Sequence, residues 1–274
     1  MNFGADNLFK KLKAVLLARP VYYDIITPIN PWQEKWVGKI NKKQAMKQHE
    51  DLSDALEKEG VECHFLKPIE GKTNQINTRD VGVISAEGAI VASLKKSVRV
   101  GEEMAFVDFC NEHKIPILNK NMEVKFEGGD FFFIDQTNCL LGIGPRTQVS
   151  AKIIQKLLKK TKIQLIHHDS PHHLDAIFNI ISKDLVVCHE KYLNEKSFEY
   201  LKGKRIRTFS DEDIETMPSN FLLIEENKIL ADSEPHSFNR KLEKEGVEVI
   251  EVDVSELKKS GGSIRCMTLD VLRG

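Results

Sequence analysis

The chain has 274 residues, 41% of them hydrophobic, enough to bury a substantial core as one large domain or two small ones. Its 40 Lys and Arg residues almost cancel 41 Asp and Glu residues, and the net charge of -1 leaves no basic block to neutralise phosphates, so nucleic acid is not an expected partner. No apolar run approaches the roughly 20 residues that cross a bilayer, and the first residues lack a cationic stretch followed by an apolar one, so a cytoplasmic protein with no membrane partner is expected.

The predicted elements follow in chain order. Residues 13–18 form a strand broken at Arg19-Pro20, and a loop with Pro28, Pro31 and Trp32 comes next, placed and composed as a lid. Ala45, Met46, His49, Leu52 and Leu56 recur at helical spacing over 42–58, Gly60 stops that helix, and 61–66 alternates as a strand. The same order then returns with a hairpin in front. Strands at 81–85 and 89–93 precede a helix at 101–113 and a strand at 115–118. A third copy has 131–134 and 139–143, a helix at 149–160 and a strand at 163–166. The fourth starts near Ala176 and runs through 186–188 to a helix at 194–201 and a strand at 205–209. The fifth has 221–224 and 229–231, a helix at 236–245 and a strand at 247–252. The first copy lacks its opening hairpin, and the orphan strand 267–272 is placed to supply part of it, which closes the ring. The repeat implies an α/β ring of five like units in which neighbours bury one another.

One residue stands just before each hairpin: Asp80, Asp130, the segment from His173 to Asp175, Asn220 and Cys266. These positions recur every 45–50 residues, so the repeat should gather them at one end of the ring axis in a shared cleft. Any one of them alone reads as a turn former. Two carboxylates, a histidine and a cysteine at matched positions read as chemistry. Cys266 is the candidate nucleophile, since it follows the flexible pair Gly261-Gly262 and sits beside Arg265, a cation that would favour the thiolate or simply point outward. The plain alternative is a small buried residue in a C-terminal strand. The other cysteines, Cys63, Cys110, Cys139 and Cys188, complete an odd number with no CxxC pair, which argues for reduced thiols. His167, His168, His172 and His173 lie around a loop without helical HExxH spacing, so no metal and no cofactor is expected.

Taken together, Asn77-Thr78-Arg79-Asp80, Phe126-Glu127-Gly128-Gly129-Asp130, Gly142-Ile143-Gly144-Pro145-Arg146-Thr147, His173-Leu174-Asp175 and Gly261-Gly262-Ser263-Ile264-Arg265-Cys266 resemble the guanidino-group-modifying enzymes. This amidinotransferase or pentein superfamily contains arginine deiminase, dimethylarginine dimethylaminohydrolase and arginine:glycine amidinotransferase. The resemblance runs from Asn30 to Arg273 and implies an α/β fold, a five-bladed pseudosymmetric α/β propeller that agrees with the repeat, built as one catalytic domain over residues 1–274. It implies that Cys266 attacks a guanidinium carbon, and that His173 protonates the departing nitrogen and then activates water. Glu127 would bridge substrate and His173. Asp80 and Asp175 would accept the guanidinium N–H groups, Arg99 and Arg146 would bind a substrate carboxylate, and Asp130 would be structural. The implied partner is a small guanidine such as arginine or a methylated arginine, and a homo-oligomer is compatible with this reading. The expected activity is hydrolysis of a C–N bond by the arginine deiminase route, with dimethylarginine hydrolysis or amidino transfer to an amine as alternatives. A ring-shaped ribosome anti-association factor resembles the architecture too, but a binding ring has no use for a nucleophile and an HxD pair.

Overall fold

The computed structural model describes residues 1–119 and 124–274. β1 (Leu12–Leu17), the short helix α1 (Pro31–Glu34), α2 (Lys42–Lys58) and β2 (Glu62–Phe65) come first. The Asn41 side chain caps α2 by accepting from Gln44 N at 3.1 Å, and Gly60, at φ +75°, supplies the left-handed turn beyond its end. β3 (Gly82–Ser85), β4 (Gly88–Val91) and α3 (Glu103–Glu112) follow, then β5 (Phe131–Asp135), β6 (Asn138–Ile143), α4 (Ala151–Leu157) and β7 (Lys162–His167). Next are β8 (Phe178–Ile180), β9 (Leu185–Cys188), α5 (Phe198–Leu201) and β10 (Arg205–Thr208). β11 (Leu222–Glu225), β12 (Lys228–Asp232), α6 (His236–Glu243), β13 (Glu248–Val252), α7 (Ile264–Met267) and β14 (Leu269–Arg273) complete the order.

The strands form five sheets of one recurring plan, in which a middle strand pairs antiparallel with one neighbour and parallel with the other. β14 is the antiparallel partner that β1 lacks nearby in sequence, with Leu16 opposite Leu269, while β2 pairs with β1 in parallel. The C-terminal strand thus completes the first unit, as expected. In the second unit the parallel strand shrinks to a bridge between Ala89 and Ile117. Pro116 has no N–H to lengthen that ladder, and the Asn119 amide takes over, bonding Val91 N at 2.8 Å and Val91 O at 2.9 Å. The fourth helix is also shorter than predicted, because Ser197 turns its hydroxyl to His167 N and O at 2.9 Å.

Side-chain alternation distributes each strand between two cores. Phe131 and Phe133 pack with Val83 and Ile90 of the second unit, whereas Phe132 faces Phe178 of the fourth. Ala14 and Leu16 join the second unit, and Leu12, Val15 and Leu17 join Leu222, Ile224 and Leu230 of the fifth. Neighbouring units therefore share their cores, the fifth with the first included. No helix of the described residues is long and apolar enough to cross a membrane.

Candidate active site

A short 3-10 turn precedes three of the hairpins, at Thr78–Val81, Gly128–Asp130 and Leu174–Ala176, and α7 holds the corresponding place before β14. These four segments abut one another and bring the matched residues together. Cys266 lies inside the helical turn α7 rather than in the strand, and is 5% exposed. Its approach needs glycine twice: Gly261 adopts φ +85°, and a Cβ on Gly262 would come within 2.8 Å of the Cys266 sulfur. Gly129 is required likewise, since its Cβ would stand 2.7 Å from His173 Cγ.

His173 is the hub of the cleft. Its Nε2 is 2.7 Å from Glu127 Oε2, and its Nδ1 is 3.2 Å from Asp80 Oδ1. Burial alone would lower the imidazole, but Asp80, Glu127 and Asp130 outweigh it and carry it up to about 9, so His173 is a cation at neutral pH. Glu127 is pulled below the ordinary carboxylate range despite its burial, because His173 and Arg146 hold its charge. Its Oε1 accepts from Lys95 N at 2.7 Å, which fixes the carboxylate beside the ring.

Cys266 Sγ lies 3.7 Å from Asp175 Oδ1 and 3.3 Å from Asn220 Nδ2. Burial, then Asp175 and Asp80, push the thiol well above its ordinary value, and burial with Asp80 nearby lifts the Asp175 carboxyl to about 6. Arg265 does not serve the sulfur: it pairs with Asp270. Asp130 accepts from Leu174 N at 2.7 Å and contacts His168 Nε2 at 3.1 Å, which gives it the structural place expected.

Arg99, expected at a substrate carboxylate, lines the cleft with its guanidinium turned to buried acids. It is 1% exposed, its Nη1 bonds Asp80, its Nε and Nη2 bond Glu102 at 2.9 and 2.8 Å, and Nη2 also reaches Asn77 O at 3.3 Å. All three nitrogens are engaged, so this geometry moves Arg99 to the support of Asp80. Arg146 lines the cleft 3.6 Å from Glu127, with its Nε and Nη1 buried and without hydrogen-bond partners among the described residues. Asp175 Oδ2 is a buried acceptor in the same condition, whereas Asp80 Oδ1 makes no hydrogen bond but stands in ion-pair contact with His173 Nδ1. Unmet buried charges are costly, and here they offer acceptors to a cation and donors to an anion.

Within the loop expected as a lid, which holds Asn30, Pro31 and Trp32, Ile29 and Asn30 line the cleft. That segment is tied down by the fully buried Gln33, which reaches Ser260 O at 2.6 Å and Asn74 Oδ1 at 2.8 Å. The four-histidine segment divides: His168 serves Asp130, His173 enters the cleft and His172 borders it. Among the described residues, the one trio with ligand-type atoms within 4.8 Å of one another is Asp80, Glu127 and His173. Asn220 carried no role in the sequence reading, though its matched position before β11 marked it.

The family model for N,N dimethylarginine dimethylhydrolase, eukaryotic, matches residues 21–273. The chain belongs to this family. It is a hydrolase acting on C–N bonds, within the guanidino-modifying enzymes. The chain is 32% identical over 268 residues to the uncharacterized protein YkgA of Bacillus subtilis, covering 96% of this chain and 93% of that one. The N(G),N(G)-dimethylarginine dimethylaminohydrolase of Mycobacterium tuberculosis is 24% identical over 92% of this chain and 83% of its own. Among solved structures, the product-bound N-terminal domain of ArgZ, an arginine dihydrolase from cyanobacteria, superposes with a TM-score of 0.87 at 23% identity, over 95% of this chain and 97% of that one.

Proposed function

We propose that this family member is a cysteine-dependent hydrolase of an arginine-type guanidine. The observation that carries the reading is the set of charged groups around Cys266: an open oxygen on Asp175 and the Asp80 carboxylate beside it for guanidinium N–H groups, and nitrogens on Arg146 without hydrogen-bond partners for a carboxylate. The same reading takes residues 1–274 as one catalytic domain, its five units as blades of a closed propeller, and the five free cysteines as those of a cytoplasmic protein.

Burial, with two carboxylates facing the thiol, keeps it protonated at rest. A bound guanidinium neutralises their field, so the thiol proton leaves to solvent and the thiolate adds to the guanidinium carbon. His173, held as an imidazolium by Asp80 and Glu127, gives its proton to the departing nitrogen as the C–N bond breaks. Ammonia or an alkylamine departs, and Cys266 carries a thiouronium. The neutral imidazole then takes a proton from water, hydroxide adds to the same carbon, and the C–S bond breaks to free a ureido product.

Asp175 favours an unsubstituted guanidine. Its open Oδ2 needs an N–H, and methyl groups would leave that buried oxygen unpaired. The match to the dimethylarginine dimethylhydrolase model supports the second reading, removal of dimethylamine. The test is a panel of arginine, N,N-dimethylarginine and arginine with excess glycine, with products weighed by mass spectrometry. Ureido product and ammonia from arginine, at higher kcat/KM than dimethylamine release, are expected. Equal or faster turnover of dimethylarginine would move the assignment to that substrate, and an amidino-glycine product would move it to transfer.

A further inference from the structure

Asn220 makes more bonds to the nucleophile's turn than any step above requires. Its Oδ1 accepts from Ser263 N at 2.9 Å and from Cys266 N at 3.2 Å. Two backbone donors on one oxygen settle which way the amide points, because the nitrogen could accept from neither. Nδ2 must then face the other way, where Asp175 O lies at 3.0 Å and Cys266 Sγ at 3.3 Å. The Asn220 main chain adds a third tie, accepting from Arg265 N at 3.0 Å.

The segment presenting this side chain is itself held on several sides. Met217 takes a left-handed conformation at φ 52°, and its carbonyl accepts from Asn220 N at 3.0 Å. Ser219 Oγ donates to Ala176 O at 2.8 Å, and Asn179 Nδ2 donates to Ser219 O at 2.7 Å and Phe221 O at 2.8 Å. Asn220 is 1% exposed, so water does not compete for its amide.

We propose that Asn220 is a catalytic residue of this site, the N–H donor that stabilises the Cys266 thiolate, while its carbonyl oxygen holds the nucleophile's turn in register. Asp175 and Asp80 oppose ionisation of the thiol, Arg99 favours it from behind Asp80, and His173 faces the same cleft. Asn220 is the neutral group in direct contact with the sulfur, and it acts before and after substrate binds. The inference rests on Cys266 as nucleophile, not on the identity of the guanidine.

Iodoacetamide alkylation of Cys266, followed by peptide mass spectrometry across pH, reads the thiolate without any substrate. A hydrogen bond to a charged group changes an equilibrium by about tenfold to a hundredfold. The full-length Asn220→Ala variant is therefore expected to alkylate about tenfold to a hundredfold more slowly at about pH 8, reach the same limiting rate at high pH, and lose kcat with little change in KM. A folded Asn220→Ala protein with an unchanged alkylation profile would overturn the proposal, since a purely structural role leaves the profile alone. If that variant does not fold, Asn220→Asp keeps the acceptor for Ser263 and Cys266 but has no N–H to give. It should alkylate at least tenfold more slowly, by the same arithmetic, and an unslowed rate would equally overturn the proposal. Failure of the guanidine reading shows separately, as absent turnover of the substrate panel with the alkylation difference intact.

Discussion

Two buried ion clusters meet at the C-terminal segment, and they differ in what they leave unsatisfied. In the first, Asp270 bonds Arg265 and, at 2.8 Å, Arg273, whose remaining N–H groups reach Leu8 O at 2.9 Å, Lys10 O at 3.0 Å and Leu223 O at 2.6 Å. No buried nitrogen or oxygen of these three residues lacks a partner. Burial raises the Asp270 carboxyl, yet Arg265 and Arg273 drive it far below the ordinary range. In the second cluster Asp175 and Arg146 keep atoms without hydrogen-bond partners, Asp80 Oδ1 has an ion-pair contact with His173 alone, and Asp175 is raised to about 6 rather than lowered. Burial is alike in both. The closed cluster ties the chain's last strand to the segment ahead of β1 and to β11, while the open one holds charge ready for a ligand.

That contrast is broken most severely at Cys266. Cys266→Ala should reduce turnover to background while leaving the thermal transition in place, because among the described residues no second cysteine lines the cleft; retained activity would remove the covalent route. Next in size is Asp270→Asn, which strips a charge from the closed cluster and leaves arginines buried without an anion. Breaking such a pair costs about 3–5 kcal/mol, and calorimetry should show Tm falling on the order of 10 °C. Asp175→Ala in the open cluster should show no comparable loss, and equal destabilisation of the two variants would erase the distinction drawn between them.

A smaller effect separates substrates. Asp175→Ala should cut kcat/KM for arginine by about tenfold to a hundredfold and narrow the gap to N,N-dimethylarginine, as judged by steady-state kinetics on both. The same carboxyl sets an acid limb: as pH falls through about 6, Asp175 takes up a proton and loses the charge that accepts guanidinium N–H groups, so kcat/KM should decline. In Asp175→Ala that limb should vanish, and its persistence would assign it to another group.

Much of the architecture was legible because repetition is a one-dimensional signal. A 45–50-residue period placed Asp80, Asp130, His173, Asp175, Asn220 and Cys266 at equivalent points, and the structure brings them to one cleft. The missing hairpin strand of the first unit was legible for the same reason. Partner choice was not. The family resemblance brings Arg99 to a substrate carboxylate and the sequence sets Arg265 beside the nucleophile, but whether a guanidinium faces a ligand or a carboxylate depends on which buried acid is within reach. Arg99 meets Asp80 and Glu102, and Arg265 meets Asp270. Asn220 was marked by position and yet without a role, since an amide bonding two backbone N–H groups leaves no trace in residue spacing. The loss of the second unit's parallel strand was foreshadowed by Pro116, whose missing donor the apolar run around it concealed.

The central claim is that Cys266 bonds covalently to a guanidinium carbon while His173 manages the protons. Its most direct test is the intact mass of the His173→Ala variant after mixing with arginine, with the modified peptide mapped. Leaving-group protonation and water activation by such a group contribute about 10²–10⁴-fold, so the variant should turn over slowly and carry a thiouronium adduct of arginine less ammonia on Cys266 alone. Ordinary turnover by His173→Ala, with Cys266 unmodified throughout, would contradict the account.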